Sequence, residues 1–184
     1  MTGPSGPVTQ FATIGSSLSG TFATGTGGNV TVNAENIELT NDGRIVSTLI
    51  FGAPGNAGNT VVNTATLNIH DRGGVFASSF LGTGNSGNID ITAKDITISG
   101  VRNSLDPGGV ADFTGLSAST LAGRGGTLRV TTDDLFVRDK GIIASTTFGT
   151  GNSGNIQIAA KNLTVTDAGQ ITAVTGGGRP GREH

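Results

Sequence analysis

The chain has 184 residues, 32 of them glycine, with 11 basic and 13 acidic side chains and no cysteine, tryptophan or tyrosine. A net charge of −2 leaves no basic footprint for nucleic acid or an anionic membrane. No apolar run reaches the length of about 18 residues that a membrane-spanning helix needs. Without cysteine there is neither a disulfide frame nor a thiolate metal site, while 34% hydrophobic residues are too many for a disordered chain.

Residues 1–16 open on Gly, Pro and Ser and read as a flexible end with neither the charged nor the apolar region of a secretion signal. Leu18, Gly20 and Phe22 then take the spacing of a half coil. From there the chain repeats itself. GTGNSGN stands at 82–88 and again at 149–155, with looser copies GTGGN at 25–29, GNAGN at 55–59 and GRGGT at 123–127. The closing residues Asn29, Asn59, Asn88, Thr127 and Asn155 are 30, 29, 39 and 28 positions apart, so a unit of 28–30 residues recurs five times, once with an insertion.

Within each unit three short apolar alternations follow the corner, the period of strands with one buried face. The first carries Val30/Val32, Thr60/Val62, Ile89/Ile91, Leu128/Val130 and Ile156/Ile158 inward. The second carries Ile37/Leu39, Leu67/Ile69, Ile96/Ile98, Leu135/Val137 and Leu163/Val165. A third, after a turn, carries Ile45/Ser47, Val75/Ala77, Leu116/Ala118, Ile143/Ser145 and Ile171/Ala173, followed by a large inward residue at Ile50, Phe80, Leu121 and Phe148. β-branched strands, Gly and Asn at every corner and no helical stretch predict an all-β fold. The expected architecture is a right-handed parallel β-helix over residues 17–175, about five coils of 28–30 residues with three strands each. An insertion interrupts it at 100–112, and 176–184 form a flexible tail. A β-sandwich also suits short strands, but it does not require the same residue types every 28–30 positions.

The chemistry is sparse. Asn29, Asn59, Asn88 and Asn155 form a corner column in which stacked amides can bond coil to coil, a structural ladder. Asn41, Asp71, Asp139 and Asp167 each stand two residues before a glycine, the signature of an Asx turn. Asp139 and Asp167 would be direct neighbours, so Asp71, Asp139 and Asp167 are candidates for a calcium site. The tandem glycine-rich calcium repeat is not matched, since Ile89 and Ile156 occupy its aspartate place. Carboxylates that could serve hydrolysis group as Asp133 and Asp134 with Arg129 and Lys161, and as Asp106 and Asp112 with Arg102. His70 is expected to end a strand at the surface. Outward Thr residues are interrupted by Asp, Arg, Gln and Phe, which breaks the flat array that ice binding needs. The insertion, with Arg102, Asp106 and Asp112, leaves the rigid coil and is the candidate recognition loop.

The stretches GNSGNIDITAKDITISG (84–100) and GLSASTLAGRGGTLRVTTDDLFVRDKGIIASTTFGTGNSGNIQIAAKNLTVTDAGQITA (115–173), with the insertion SGVRNSLDPGGVADFTGL, resemble the cyanobacterial filamentous-haemagglutinin-like exoproteins of the two-partner secretion type. The resemblance covers roughly residues 17–175. It implies a secreted or cell-surface stalk used in adhesion, aggregation or envelope structure. With the acids spread over corners, the expected module is non-enzymatic and without cofactor, its partners cell-surface glycans or proteins, or copies of itself end to end. The secretion domain of that family has no counterpart in this sequence. A self-associating fibre or matrix subunit is the alternative, and a carbohydrate-binding or polysaccharide-degrading β-helix the second alternative.

Overall fold

The computed structural model describes residues 12–19, 25–50, 55–80, 84–100, 113–149 and 151–176. All regular structure among them is β, and every strand pairing is parallel. A half coil, β1 (Thr13–Ser19), precedes five rungs. The first holds β2 (Val30–Asn33), β3 (Asn36–Leu39) and β4 (Arg44–Ile50). The second holds β5 (Thr60–Asn63), β6 (Thr66–His70), β7 (Gly74–Phe76) and β8 (Ser79–Phe80). β9 (Ile89–Thr92), β10 (Asp95–Ser99) and β11 (Gly115–Ser117) make the third; β12 (Leu128–Arg138) and β13 (Ile142–Thr147) the fourth; β14 (Ile156–Val165) and β15 (Gln170–Thr175) the fifth. Five rungs are separated by four turns of the coil, close to the five coils read from the repeat.

The first and second strands of every coil share one eight-stranded sheet, and the third strands stack in the order β1-β4-β7-β11-β13-β15 in the other. In the fourth and fifth coils the first two strands run together as β12 and β14. Their shared corner survives as a bend at Asp133, which drops out of a register that pairs Thr132 with Ala160 and Asp134 with Asn162.

The apolar columns lie on successive rungs as the alternation requires. Val30, Thr60, Ile89, Leu128 and Ile156 stand opposite one another, as do Ile37, Leu67, Ile96, Leu135 and Leu163. In the middle coils these side chains are fully buried and join Val75, Leu116 and Ile143 from the facing sheet in one continuous core. Thr60 is the polar exception: its hydroxyl is buried with no hydrogen-bond partner among the described residues.

Repetition of glycine has a steric cause. A Cβ at Gly58, Gly87, Gly126 or Gly154 would collide with the carbonyl of the glycine one coil earlier, and a second column, Gly55, Gly84, Gly123 and Gly151, is equally tight. Coils about 4.8 Å apart leave no room for a side chain where the backbone turns edge-on to its neighbour.

Three expectations are corrected. β1 begins at Thr13, inside the stretch expected to be flexible, and pairs Ile14 with Ile45, Ser16 with Ser47 and Leu18 with Leu49. Leu18 therefore sits four residues later in the register than its assignment as the first inward residue, while Gly20 and Phe22 lie outside the described residues. The hydroxyl of Ser16 accepts the Gly28 N–H at 3.0 Å in this register.

The large residue after the third strand also differs, since Leu121 and Phe148 are exposed; the side chains of Ile50 and Phe80 are outside the description. The inward position is one earlier: Leu49, Ser79, Thr120 and Thr147 are all buried. Hydroxyls suit it in the third and fourth coils because the glycine corner turns its polar backbone inward: Thr120 Oγ1 donates to the Gly84 carbonyl at 2.9 Å, and Thr147 Oγ1 to that of Asn152 at 3.0 Å, whereas the Ser79 hydroxyl has no partner among the described residues.

The turns after the second strand are not Asx turns. Asn41 and Asp42, Asp71 and Arg72, Asp139 and Lys140, and Asp167 and Ala168 all have φ between 48° and 67°. Gly43, Gly73, Gly141 and Gly169 donate back to the carbonyls of Thr40, His70, Arg138 and Thr166 at 2.7–2.9 Å. Two left-handed central residues closed by a bond from the fourth residue to the first are the pattern of a type I′ turn. Asn and Asp lead it because they tolerate left-handed geometry. The glycine is again steric: at Gly73 a Cβ would strike the Leu39 carbonyl.

Candidate functional site

The most elaborated part of the surface is the corner where the insertion leaves and rejoins the coil. In the third coil the insertion replaces the type I′ turn, so its root is flanked by the turns of the second and fourth coils. On the leaving side, Ser99 Oγ donates to Asp139 Oδ2 at 2.8 Å, and the Gly100 N–H donates to the Arg138 carbonyl at 3.2 Å. On the returning side, the Arg72 N–H donates to Thr114 Oγ1 at 2.9 Å, and the Phe113 ring lies 5.5 Å from that of Phe76. Gly115 has φ +141° and a Cβ there would strike the Ile142 carbonyl, so only glycine lets the chain re-enter the sheet at this point. Arg102, Asp106 and Asp112, the loop candidates, lie outside the described residues.

Below the root, opposite charges meet across coils. Asp42 is buried and is held by Arg72, whose Nε donates to both carboxylate oxygens at 3.1 Å and whose Nη2 donates at 2.6 Å. Arg44 adds a bond at 3.3 Å and lays its guanidinium 5.5 Å above the Phe76 ring. Such a fork on a carboxylate is the strong form of ion pair. Beside it, His70 ends β6 half-buried, with Nδ1 2.9 Å from Asp71 Oδ2 and Nε2 3.1 Å from Glu38 Oε1. The Asp71 hydrogen bond raises the imidazole pKa above its ordinary value; partial burial opposes this, and Glu38 reinforces it.

Two of the calcium candidates are thus engaged. Asp71 holds His70 and accepts from Thr40 Oγ1 at 3.4 Å, and Asp139 holds Ser99. They are not stacked on each other, since the insertion lies between their coils. Asp139 and Asp167 are on adjacent turns, where the Lys140 N–H donates to the Asp167 carbonyl at 3.0 Å. Among the described residues no group of three or more His, Asp or Glu side chains is placed to hold a metal ion.

The corner asparagines bond from side chain to backbone. Asn29 Oδ1 accepts the Asn59 N–H at 2.8 Å, Asn59 Oδ1 the Asn88 N–H at 2.9 Å, and Asn88 Oδ1 the Thr127 N–H at 2.8 Å. Thr127 has no amide to pass the series on, so Asn155 stands at the far side of a break. A second series joins Asn56, Asn85 and Arg124 in the same way.

The carboxylates read as an enzyme-like group are divided among separate partners. Lys161 pairs with Asp133 at 2.8 Å, Asn162 with Asp134 at 2.7 Å, and Arg129 with Asp90 at 3.5 Å and Gln157 at 3.0 Å. Asp133 raises the Lys161 pKa. Each acid faces its own partner, not a common point where a reacting atom could sit.

Asp42, Arg72, Arg44 and Phe76 escaped the sequence reading. A signal was present: Asp42 and Arg72 hold the second turn position of neighbouring units with opposite charge. Phe76 is a large apolar residue at an outward place. No protein-family model, curated protein or solved structure matches the chain, so the corner around the insertion stands as the candidate site on its geometry alone.

Proposed function

We propose that the protein is a non-enzymatic structural and adhesive repeat module, a stiff β-helical stalk of an extracellular surface protein of the filamentous-haemagglutinin-like, two-partner-secreted type. Its insertion is the recognition element, directed at cell-surface glycans or proteins. The observation that carries this reading is the anchored root. A regular coil is interrupted at one corner, and both sides of the interruption are tied to the flanking turns through Asp139 and Arg72. A rigid frame that fixes the base of a variable loop is the arrangement by which scaffolds present binding segments. Elsewhere on the described surface the ion pairs Arg129 with Asp90 and Lys161 with Asp133 are separate from each other, which suits a stalk better than a reaction centre.

The test replaces 100–112 by the turn Asp139–Gly141. The β-type circular dichroism spectrum is expected to persist, because the other coils join these strands by that turn, while binding to glycan-bearing cells and to a glycan array disappears. Undiminished binding would overturn the assignment of recognition to the insertion.

A further inference from the structure

The second central residue of the type I′ turn is Asp42, Arg72, Lys140 or Ala168 in the four coils that make it. Lys140 and Ala168 are exposed, and their turns close on the same backbone bond: the Gly141 N–H donates to the Arg138 carbonyl and the Gly169 N–H to the Thr166 carbonyl, both at 2.7 Å. The turn therefore needs no ion pair. In the first coil its second place nonetheless holds a carboxylate that is only 3% exposed, forked by Arg72 from the same place in the second coil and bonded by Arg44. Drawing a carboxylate out of water is at best offset by its partners, and Arg44 leaves its own buried Nε without one among the described residues. Stability alone does not account for such an arrangement. A buried ion pair can instead hold one conformation against its alternatives.

The conformation at stake is that of the insertion's returning limb, Phe113 and Thr114, which reaches the third coil beside these two turns. Two lines of contact run to it from Asp42. Through Arg72, the second turn offers a backbone N–H that donates to Thr114 Oγ1 at 2.9 Å, and Thr114 is itself buried. Through Arg44, a guanidinium lies 5.5 Å from the centroid of the Phe76 ring, and that ring lies 5.5 Å from the Phe113 ring at an interplanar angle of 55°. Phe76 is buried although its place on β7 faces outward. We infer that Asp42 is a positioning residue for the insertion: from the first coil, two rungs away, it fixes Arg72 and Arg44, and through them the orientation in which Phe113 and Thr114 re-enter the sheet. The inference deepens the reading of the insertion as the recognition element. Its consequence for binding rests on that reading, and its consequence for the limb does not.

NMR spectra of the full chain and its Asp42→Asn variant test it, read at the contact between the Phe113 and Phe76 rings and at the Thr114 methyl group. Asn removes the charge at nearly constant shape. The ring contact is expected to weaken and the Thr114 signal to split or broaden, while the signals of Leu135 and Ile143 in the fourth coil stay as they are. Lys140→Ala, at the same turn place in the fourth coil, should leave Phe113 and Thr114 unchanged. Circular dichroism verifies folding. Arg72→Lys, which keeps the charges paired and loses the planar fork, carries the test if Asp42→Asn does not fold. Binding to glycan-bearing cells should fall in proportion to the fraction of chains whose limb has left its wild-type orientation. A ring contact and a Thr114 signal that stay as in the wild type, or that change no more than the fourth coil does, would overturn the inference whatever the binding does. A displaced limb with undiminished binding would uphold the positioning and overturn the assignment of recognition to the insertion.

Discussion

Leu135 and Leu163 hold the same place in adjacent coils, yet Leu135 is fully buried and Leu163 is half exposed. The first coil differs again: Val30, Ile37 and Leu39 are buried although β2 and β3 are outer strands of their sheet. The sequence column is one and the same; the environment is not. In a stacked coil, burial of a residue is supplied by the units on either side, so stability follows position along the stack as much as residue type. Side chains of the fifth coil contribute to the core below them, but among the described residues no coil supplies the upper half of their contacts.

The largest expected effect separates interior from end. Ile91→Asp buries an uncompensated carboxylate and is expected to cost about 4 kcal/mol or more, whereas Leu163→Asp should cost about 1 kcal/mol or less because its carboxylate stays hydrated. Urea unfolding followed by circular dichroism measures both. Equal losses would break the comparison.

A smaller effect of opposite sign belongs to the second coil. Thr60 interrupts the column of Val30, Ile89, Leu128 and Ile156 with a buried hydroxyl that finds no partner among the described residues. Thr60→Val removes that polar atom at nearly constant shape and is expected to stabilise by about 1 kcal/mol. A loss of stability on the same unfolding assay would mean that the hydroxyl is satisfied.

The smallest effect is a pH dependence that belongs to the first two coils alone. Asp71, assisted by Glu38, raises the pKa of His70 in the folded state. Its contribution to stability is therefore fully present below the unfolded imidazole pKa of about 6.5 and is lost as pH rises through the raised folded value. The urea midpoint should fall slightly across the neutral range, and Asp71→Asn should flatten that slope. An imidazole that titrates at or below its ordinary pKa by NMR would contradict the assignment.

Much of the fold was legible because the repeat aligns residues that face one another. A column of Val, Ile and Leu every 28–30 positions states both the strand and its inward face, and the rungs observed follow it. The last inward residue of the third strand was not legible. Bulk pointed to Leu121 and Phe148, but Thr120 and Thr147 are the buried ones, chosen by the inward carbonyls and N–H groups of a glycine corner that only the folded backbone reveals. The turns were misread for a similar reason. An aspartate two residues before glycine fits both an Asx turn and a type I′ turn, and the positive φ of Arg72, Lys140 and Ala168 separates them. At the candidate site, His70 at a strand end was readable, whereas the Asp42–Arg72 pair required knowing which turn lies over which.

The central claim, that neighbouring coils and not the repeat sequence alone set local stability, is met most directly by residue-resolved hydrogen exchange on the monomeric chain. The amides of Thr60 and Ile89 donate to the Asn88 and Thr127 carbonyls at 2.9 and 3.0 Å; those of Thr166 and Gln170 donate to the Val137 and Gly141 carbonyls at 3.0 and 2.9 Å. Bonds of equal length thus lie inside the stack and at its open end. Thr60 and Ile89 are expected to exchange only through global unfolding, and Thr166 and Gln170 at least about a hundredfold faster through local opening of the fifth coil. Indistinguishable protection of the two pairs would contradict the account.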